Sequence, residues 1–146
     1  MRIAVQEAPF DLGAEAADFA RACNASGAVV TFTGVVRDVT GGLKAMEIEH
    51  YPGMTEAALR DIAVQAVDRW HLEDALVIHR FGTLRVGEMI MMVATAAPHR
   101  KDAFEAAEFL MDYLKSRAPF WKREVTSDGA SWVAAKADDE DALNRW

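Results

Sequence analysis

Lys115, Arg117, Lys122 and Arg123 fall within the ten residues Lys115-Ser116-Arg117-Ala118-Pro119-Phe120-Trp121-Lys122-Arg123-Glu124, in a chain whose formal net charge is -7. Cations gathered this closely suit the capture of an anion or the stabilisation of negative charge that develops during a reaction. Pro119 lacks a backbone N–H and disfavours helical geometry at Ala118, so a helix carrying Lys115 stops here and the chain leaves extended. On an extended segment Phe120, Lys122 and Glu124 share one face, while Trp121, Arg123 and Val125 share the other. Lys115 and Lys122 can thus converge on one cavity from two different elements. The competing reading is that the basic residues complement a helix dipole and that Phe120 and Trp121 are core.

Three further cations join the candidate set. Arg37 closes the β-branched run Gly27 to Arg37, which reads as a strand with Gly34 as a bulge. His99 and Arg100 follow Pro98 at a strand-to-helix junction, where the first N–H groups of a helix favour an anion. Arg37, His99, Arg100, Lys115, Lys122 and Arg123 together define an expected cationic pocket, whose guest their spacing does not name.

The elements that must position these residues follow from periodicity. Arg2 to Gln6 is a strand candidate, and Asp11 caps a helix running to about Cys23 with Ala17, Phe19 and Ala20 inward. Thr40-Gly41-Gly42 predicts a turn, with Leu43 to Tyr51 as the returning strand of a hairpin. Pro52-Gly53 breaks that strand, Thr55 can cap, and Glu56 to Trp70 has the spacing of an amphipathic helix through Ala58, Leu59, Ile62, Val67 and Trp70. Asp74 to Phe81 and Glu88 to Ala97 read as a second hairpin, with Met89, Met91 and Met92 in the core. A helix beginning within Pro98-His99-Arg100-Lys101-Asp102 carries Ala103, Phe104, Ala107, Phe109, Leu110, Tyr113 and Leu114 and delivers Lys115. A turn at Thr126-Ser127-Asp128-Gly129 leads into a short strand from Ser131 to Ala135. The acidic run Asp138-Asp139-Glu140-Asp141 reads as a solvated face or a helix start.

Composition bounds the function. With 146 residues, 51% hydrophobic and 27% charged, the chain is expected to form one globular domain, 1–146, and no apolar run reaches the ~18 residues of a membrane span. The N-terminus lacks the long apolar stretch of a signal peptide, and Cys23 has no partner for an internal disulfide, so a reducing cytoplasm is the expected setting. An acidic balance argues against general nucleic-acid binding. There is no CxxC or HExxH spacing, no P-loop and no Rossmann glycine pattern, and no metal or cofactor is expected.

Several segments together resemble a known family: Gly27-Ala28-Val29-Val30-Thr31-Phe32-Thr33-Gly34 with Arg37, Glu49-His50-Tyr51-Pro52-Gly53-Met54, His79-Arg80, His99-Arg100, and Lys115 to Glu124. They are similar, in one order from about Gly27 to Trp132, to the large, catalytic subunit of molybdopterin synthase, the MoaE family. The segment Lys-x-Arg-Ala-Pro-Phe-Trp-Lys-Arg-Glu carries most of that specificity. The resemblance implies an α+β fold of the α/β-hammerhead type with antiparallel hairpins and three main helices. It also implies a homodimer flanked by two small ubiquitin-like sulfur-carrier subunits, together a heterotetramer.

In this family the carrier's C-terminal Gly-Gly tail, as a thiocarboxylate, gives its sulfur to cyclic pyranopterin monophosphate to build the molybdopterin dithiolene. By position Lys115 and Lys122 match the family's two central lysines, and Arg37, His99, Arg100, Arg123 and Glu124 match its substrate-pocket residues. Tail and substrate are both anions, which basic side chains let approach each other. Lys115 is the expected proton-transfer or oxyanion-stabilising group, a role that suits a desolvated, cation-flanked amine. Lys122 is expected to hold substrate and support that step, while Arg37, His99 and Arg100 grip phosphate and pterin polar groups. The rival reading is a noncatalytic module that docks the acidic tail of a partner. A phosphate-ester hydrolase lacks any nucleophile–base pair or metal cluster in the sequence.

Overall fold

A computed structural model describes residues 1–134 and 136–146. Two four-stranded sheets share the strands in an α+β arrangement. The first sheet takes β1 (Arg2–Gln6), β4 (Asp74–Arg80), β6 (Met89–Ala97) and β2 (Ala28–Val35), in the order β1-β4-β6-β2. The second has the order β5-β3-β7-β8, from β5 (Gly82–Leu84), β3 (Leu43–His50), β7 (Phe120–Thr126) and β8 (Gly129–Trp132). The helices are α1 (Leu12–Ala22), α2 (Met54–Trp70), α3 (Arg100–Arg117) and the short α4 (Ala137–Ala142).

Helices cover both faces of the first sheet, which is why β4 and β6 read as nearly unbroken apolar runs rather than alternating ones. The alternation decides which helix each side chain meets. Leu76, Ile78, Met92, Ala94 and Ala96 pack with Phe19 and Cys23 beneath α1. Ala75, Val77, Met91 and Val93 face Leu59, Ile62, Ala63, Ala106 and Leu110 of α2 and α3. Asp11 caps α1 by accepting a hydrogen bond from the Ala14 N–H.

Several expectations are corrected. Leu43 to Tyr51 does not return along β2: β2 pairs with β6, whereas β3 pairs with β5 and β7 in the other sheet. The Thr40-Gly41-Gly42 segment therefore carries the chain between sheets. A strand-turn-strand pattern specifies a reversal in sequence but not the partner, and pairing along both edges of β3 outweighs one local partner. The β4 and β6 strands do pair antiparallel, but β5 is interposed between them and joins the second sheet. Gly53, not Thr55, stands at the start of α2, its N–H donating to Glu56 at 2.8 Å. The Thr55 hydroxyl instead donates to the Tyr51 carbonyl. Ala20 and Met89 are exposed where burial was expected. The strand expected from Ser131 to Ala135 begins two residues earlier and ends at Trp132, and Ala135 lies outside the described residues.

The bulge predicted at Gly34 is present, as a register shift between Gly34 and Val35. Gly27, by contrast, is a steric requirement. A Cβ there would sit 2.6 Å from the Pro98 carbonyl oxygen, a backbone atom that cannot swing aside. Gly27→Ala is expected to cost about 1–3 kcal/mol through forced backbone displacement, read as a lowered denaturation midpoint with an unchanged slope.

Candidate active site

The break at Pro119 does what the sequence demands. α3 ends at Arg117, Ala118 adopts φ -75° and ψ 133°, and β7 starts at Phe120. Register against β3 then fixes the facing of each strand residue, with Ile48 opposite Lys122 and Met46 opposite Glu124. Phe120, Lys122 and Glu124 line a cavity of about 550 Å³ at the junction of the two sheets, and Lys115 lines it from the last turn of α3. That volume falls in the range of small-molecule sites, roughly 300–1,000 Å³. Arg37, just beyond β2, borders the same space.

Four of the seven candidate residues thus meet: Arg37, Lys115, Lys122 and Glu124. Arg123 points to the other face, where it forms an ion pair with Glu47 and lies over the Trp132 ring at 5.4 Å. His99 and Arg100 are exposed at the start of α3. Fifteen residues of helix separate Arg100 from Lys115, roughly 22 Å along the axis, so neither reaches this chain's cavity. Sequence order could not reveal this, because a helix carries its two ends apart in proportion to its length.

The electrostatics distinguish the two lysines. Lys122 is desolvated by its surroundings, and this, together with the neighbouring Lys115 ammonium, holds its pKa below the usual lysine value, with Asp139 pulling the other way. Lys115 is exposed and Lys122 half-buried, so the desolvated, cation-flanked lysine is Lys122 rather than the one expected. Among the described residues neither ammonium has a salt-bridge partner.

Two lining residues were missed. Asp139 lies in the acidic run taken for a solvated face, yet α4 lies along the rim of the cavity with Lys136 and Asp139 in its wall. It is held there by the Ser116 hydroxyl, which donates to the Asp139 carbonyl at 3.0 Å, and by Arg117 with Glu140 at 2.9 Å. His79 is the other, a buried imidazole stacked on Phe120 with centroids 3.7 Å apart. The available signal was a lone titratable ring near the end of the apolar strand Ala75-Leu76-Val77-Ile78.

An α+β chain with paired lysines across a proline break, facing a cavity at a seam between sheets, defines the class of protein in question. The family model described as MoaE protein matches residues 5–117, and the chain belongs to that family. It is 68% identical over 146 residues to the molybdopterin synthase catalytic subunit of Cereibacter sphaeroides, covering 100% of each chain. The solved structure of the molybdopterin biosynthesis MoaE protein from Burkholderia ambifaria superposes with a TM-score of 0.85 at 50% identity, covering 100% of this chain and 98% of that one. A chain in the complex of subunits 1 and 2 of molybdopterin-converting factor from Helicobacter pylori has a TM-score of 0.75 at 19% identity, covering 92% and 90%, a likeness of fold.

Proposed function

We propose that this chain is the catalytic half of a molybdopterin synthase, moving sulfur from the thiocarboxylated Gly-Gly tail of a small ubiquitin-like carrier to cyclic pyranopterin monophosphate. The observation that carries this reading is the pair Lys115 and Lys122 in one cavity, neither of them in a salt bridge among the described residues. A cavity whose cations, Arg37, Lys115, Lys122 and Lys136, outnumber its carboxylates, Glu124 and Asp139, suits two anionic guests that must approach each other.

The thiocarboxylate sulfur bonds to a side-chain carbon of the pterin and displaces an oxygen substituent from it, after which the bond between sulfur and the carrier's carbonyl carbon breaks. Water supplies the oxygen that replaces it, so protons must leave that water while the carbonyl oxygen passes through an oxyanion. Desolvation and the Lys115 charge favour the neutral amine of Lys122, which makes Lys122 the proton acceptor in this proposal. Lys115, more open to solvent, is placed to stabilise the oxyanion or the phosphate. Arg37 suits bidentate contact with phosphate. His99 and Arg100 lie outside their own chain's cavity, so a substrate contact by either requires the second copy of the proposed homodimer.

The deciding experiment mixes purified chain, thiocarboxylated carrier and the cyclic pterin, then follows pterin loss and dithiolene formation. Turnover is expected. Stable carrier binding with no pterin consumed would instead favour the noncatalytic docking module. The Helicobacter pylori complex of two subunits is consistent with a carrier partner but does not choose between these outcomes.

Asp139 offers a graded check. Its carboxylate raises the Lys122 pKa, so Asp139→Asn is expected to lower it. If activity needs the neutral amine, the acid limb of the pH–rate profile moves to lower pH. The Ser116 hydrogen bond uses the Asp139 backbone and is left in place by this substitution.

A further inference from the structure

His79 is absent from the expected site, and its surroundings fix its chemistry. Its Nδ1 lies 2.8 Å from the Arg80 carbonyl oxygen. A carbonyl only accepts, so Nδ1 carries the proton. Burial pushes the imidazole pKa down to about 3, with Lys122 and His50 adding to the fall against the opposing Arg80 bond. The ring is therefore neutral at physiological pH and Nε2 holds a free lone pair. Among the described residues Nε2 has no hydrogen-bond partner, and no buried side-chain nitrogen or oxygen is left orphaned, so this atom opens on the cavity that the ring lines. The close stack on Phe120, at 16° between planes, sets the direction in which the lone pair points.

The rest of the polar lining offers a different chemistry. Arg37, Lys115 and Lys136 are donors, Lys122 is committed to proton transfer in the proposed function, and the Glu124 and Asp139 side chains accept only as charged carboxylates. We infer that His79 Nε2 is a neutral acceptor in the cavity and receives a hydrogen bond from a ring N–H or amino group of the heterocyclic substrate, so that it reads the ring while the cations hold the anionic groups. This deepens the proposed function and rests on it. A neutral acceptor suits such a donor because it adds no charge to repel the phosphate.

The test uses the full complex with carrier. His79→Phe keeps a flat ring on Phe120 but removes the acceptor, and His79→Gln returns an acceptor near the Nε2 position. His79→Phe is expected to raise KM for the cyclic pterin roughly tenfold, the equivalent of one lost neutral hydrogen bond, with kcat changed far less. His79→Gln is expected to recover most of that loss. Inorganic phosphate, as competing ligand, is expected to bind wild type and His79→Phe alike. Unchanged KM in a folded His79→Phe variant overturns the inference, as does an equal loss of phosphate binding.

Should His79→Phe fail to fold, nitrogen-15 spectra of wild-type protein labelled at histidine decide the matter. Saturating pterin is expected to move the His79 Nε2 resonance upfield, as accepting a hydrogen bond does, while phosphate leaves it in place. No movement with pterin overturns the inference. If wild type neither binds nor consumes the pterin, the proposed function has failed instead, which the wild-type arm reports separately.

Discussion

Lys122→Ala is expected to cut sulfur transfer by about 10²–10⁴-fold, the range spanned by loss of a positioned proton-transfer group. Carrier binding, measured by co-purification or titration, is expected to persist, since the rest of the cavity wall stands. Lys122→Arg is not expected to rescue turnover, because a guanidinium holds its proton at any working pH. The same residue leaves a signature in stability. Its folded pKa lies below the unfolded value, so the folded chain binds fewer protons there than the unfolded chain as the pH rises. The penalty is fully present below the folded pKa and fades as pH climbs through it toward the model-peptide value of about 10.4. Lys122→Met is therefore expected to melt above wild type at neutral pH, with the gap narrowing in alkaline buffer. A gap independent of pH would show that the ammonium is not desolvated.

Lys115→Ala is expected to abolish measurable sulfur transfer, by about 10²–10³-fold or more, through loss of charge where the oxyanion or phosphate forms. Carrier retention is again expected, and near-normal turnover would remove Lys115 from the mechanism. A second readout needs no activity. The Lys115 charge lowers the Lys122 pKa, so the titration of the Lys122 amine, followed by side-chain nitrogen-15 spectra, is expected to shift upward in Lys115→Ala. The Asp139→Asn shift runs the opposite way. Opposite displacements from two neighbours of opposite charge would locate both beside the same amine.

The face on which Lys122 lies was legible because it follows from local rules: a proline that ends a helix and an alternation of period two that sorts Phe120, Lys122 and Glu124 from Trp121, Arg123 and Val125. Arg123 illustrates the limit. Its neighbours in sequence are cavity residues, but the strand's pleat turns it toward Glu47 and Trp132. The strands were legible, and the pairing of β3 was not, because pairing is settled by burial against distant strands. His79 looked like an ordinary end to a buried strand, and only the packing of β4 against β7 shows that its ring meets Phe120. Asp139 was hidden for the opposite reason: an acidic helix on the surface looks the same in sequence whether or not it edges a hollow. The three main helices follow from periodicity, and the α+β class from the resemblance to the MoaE family.

The short joint between α3 and β7 also sets how this protein can tolerate insertions and deletions. Only Ala118 and Pro119 separate the helix from the strand. Removing one residue from 120–121 while β7 keeps its hydrogen-bonded ladder would rotate the Lys122 side chain by half a pleat, toward the Trp132 side and away from Lys115. Length change is therefore harsher here than substitution, and homologous chains free to vary elsewhere would be held to a fixed residue count across this joint.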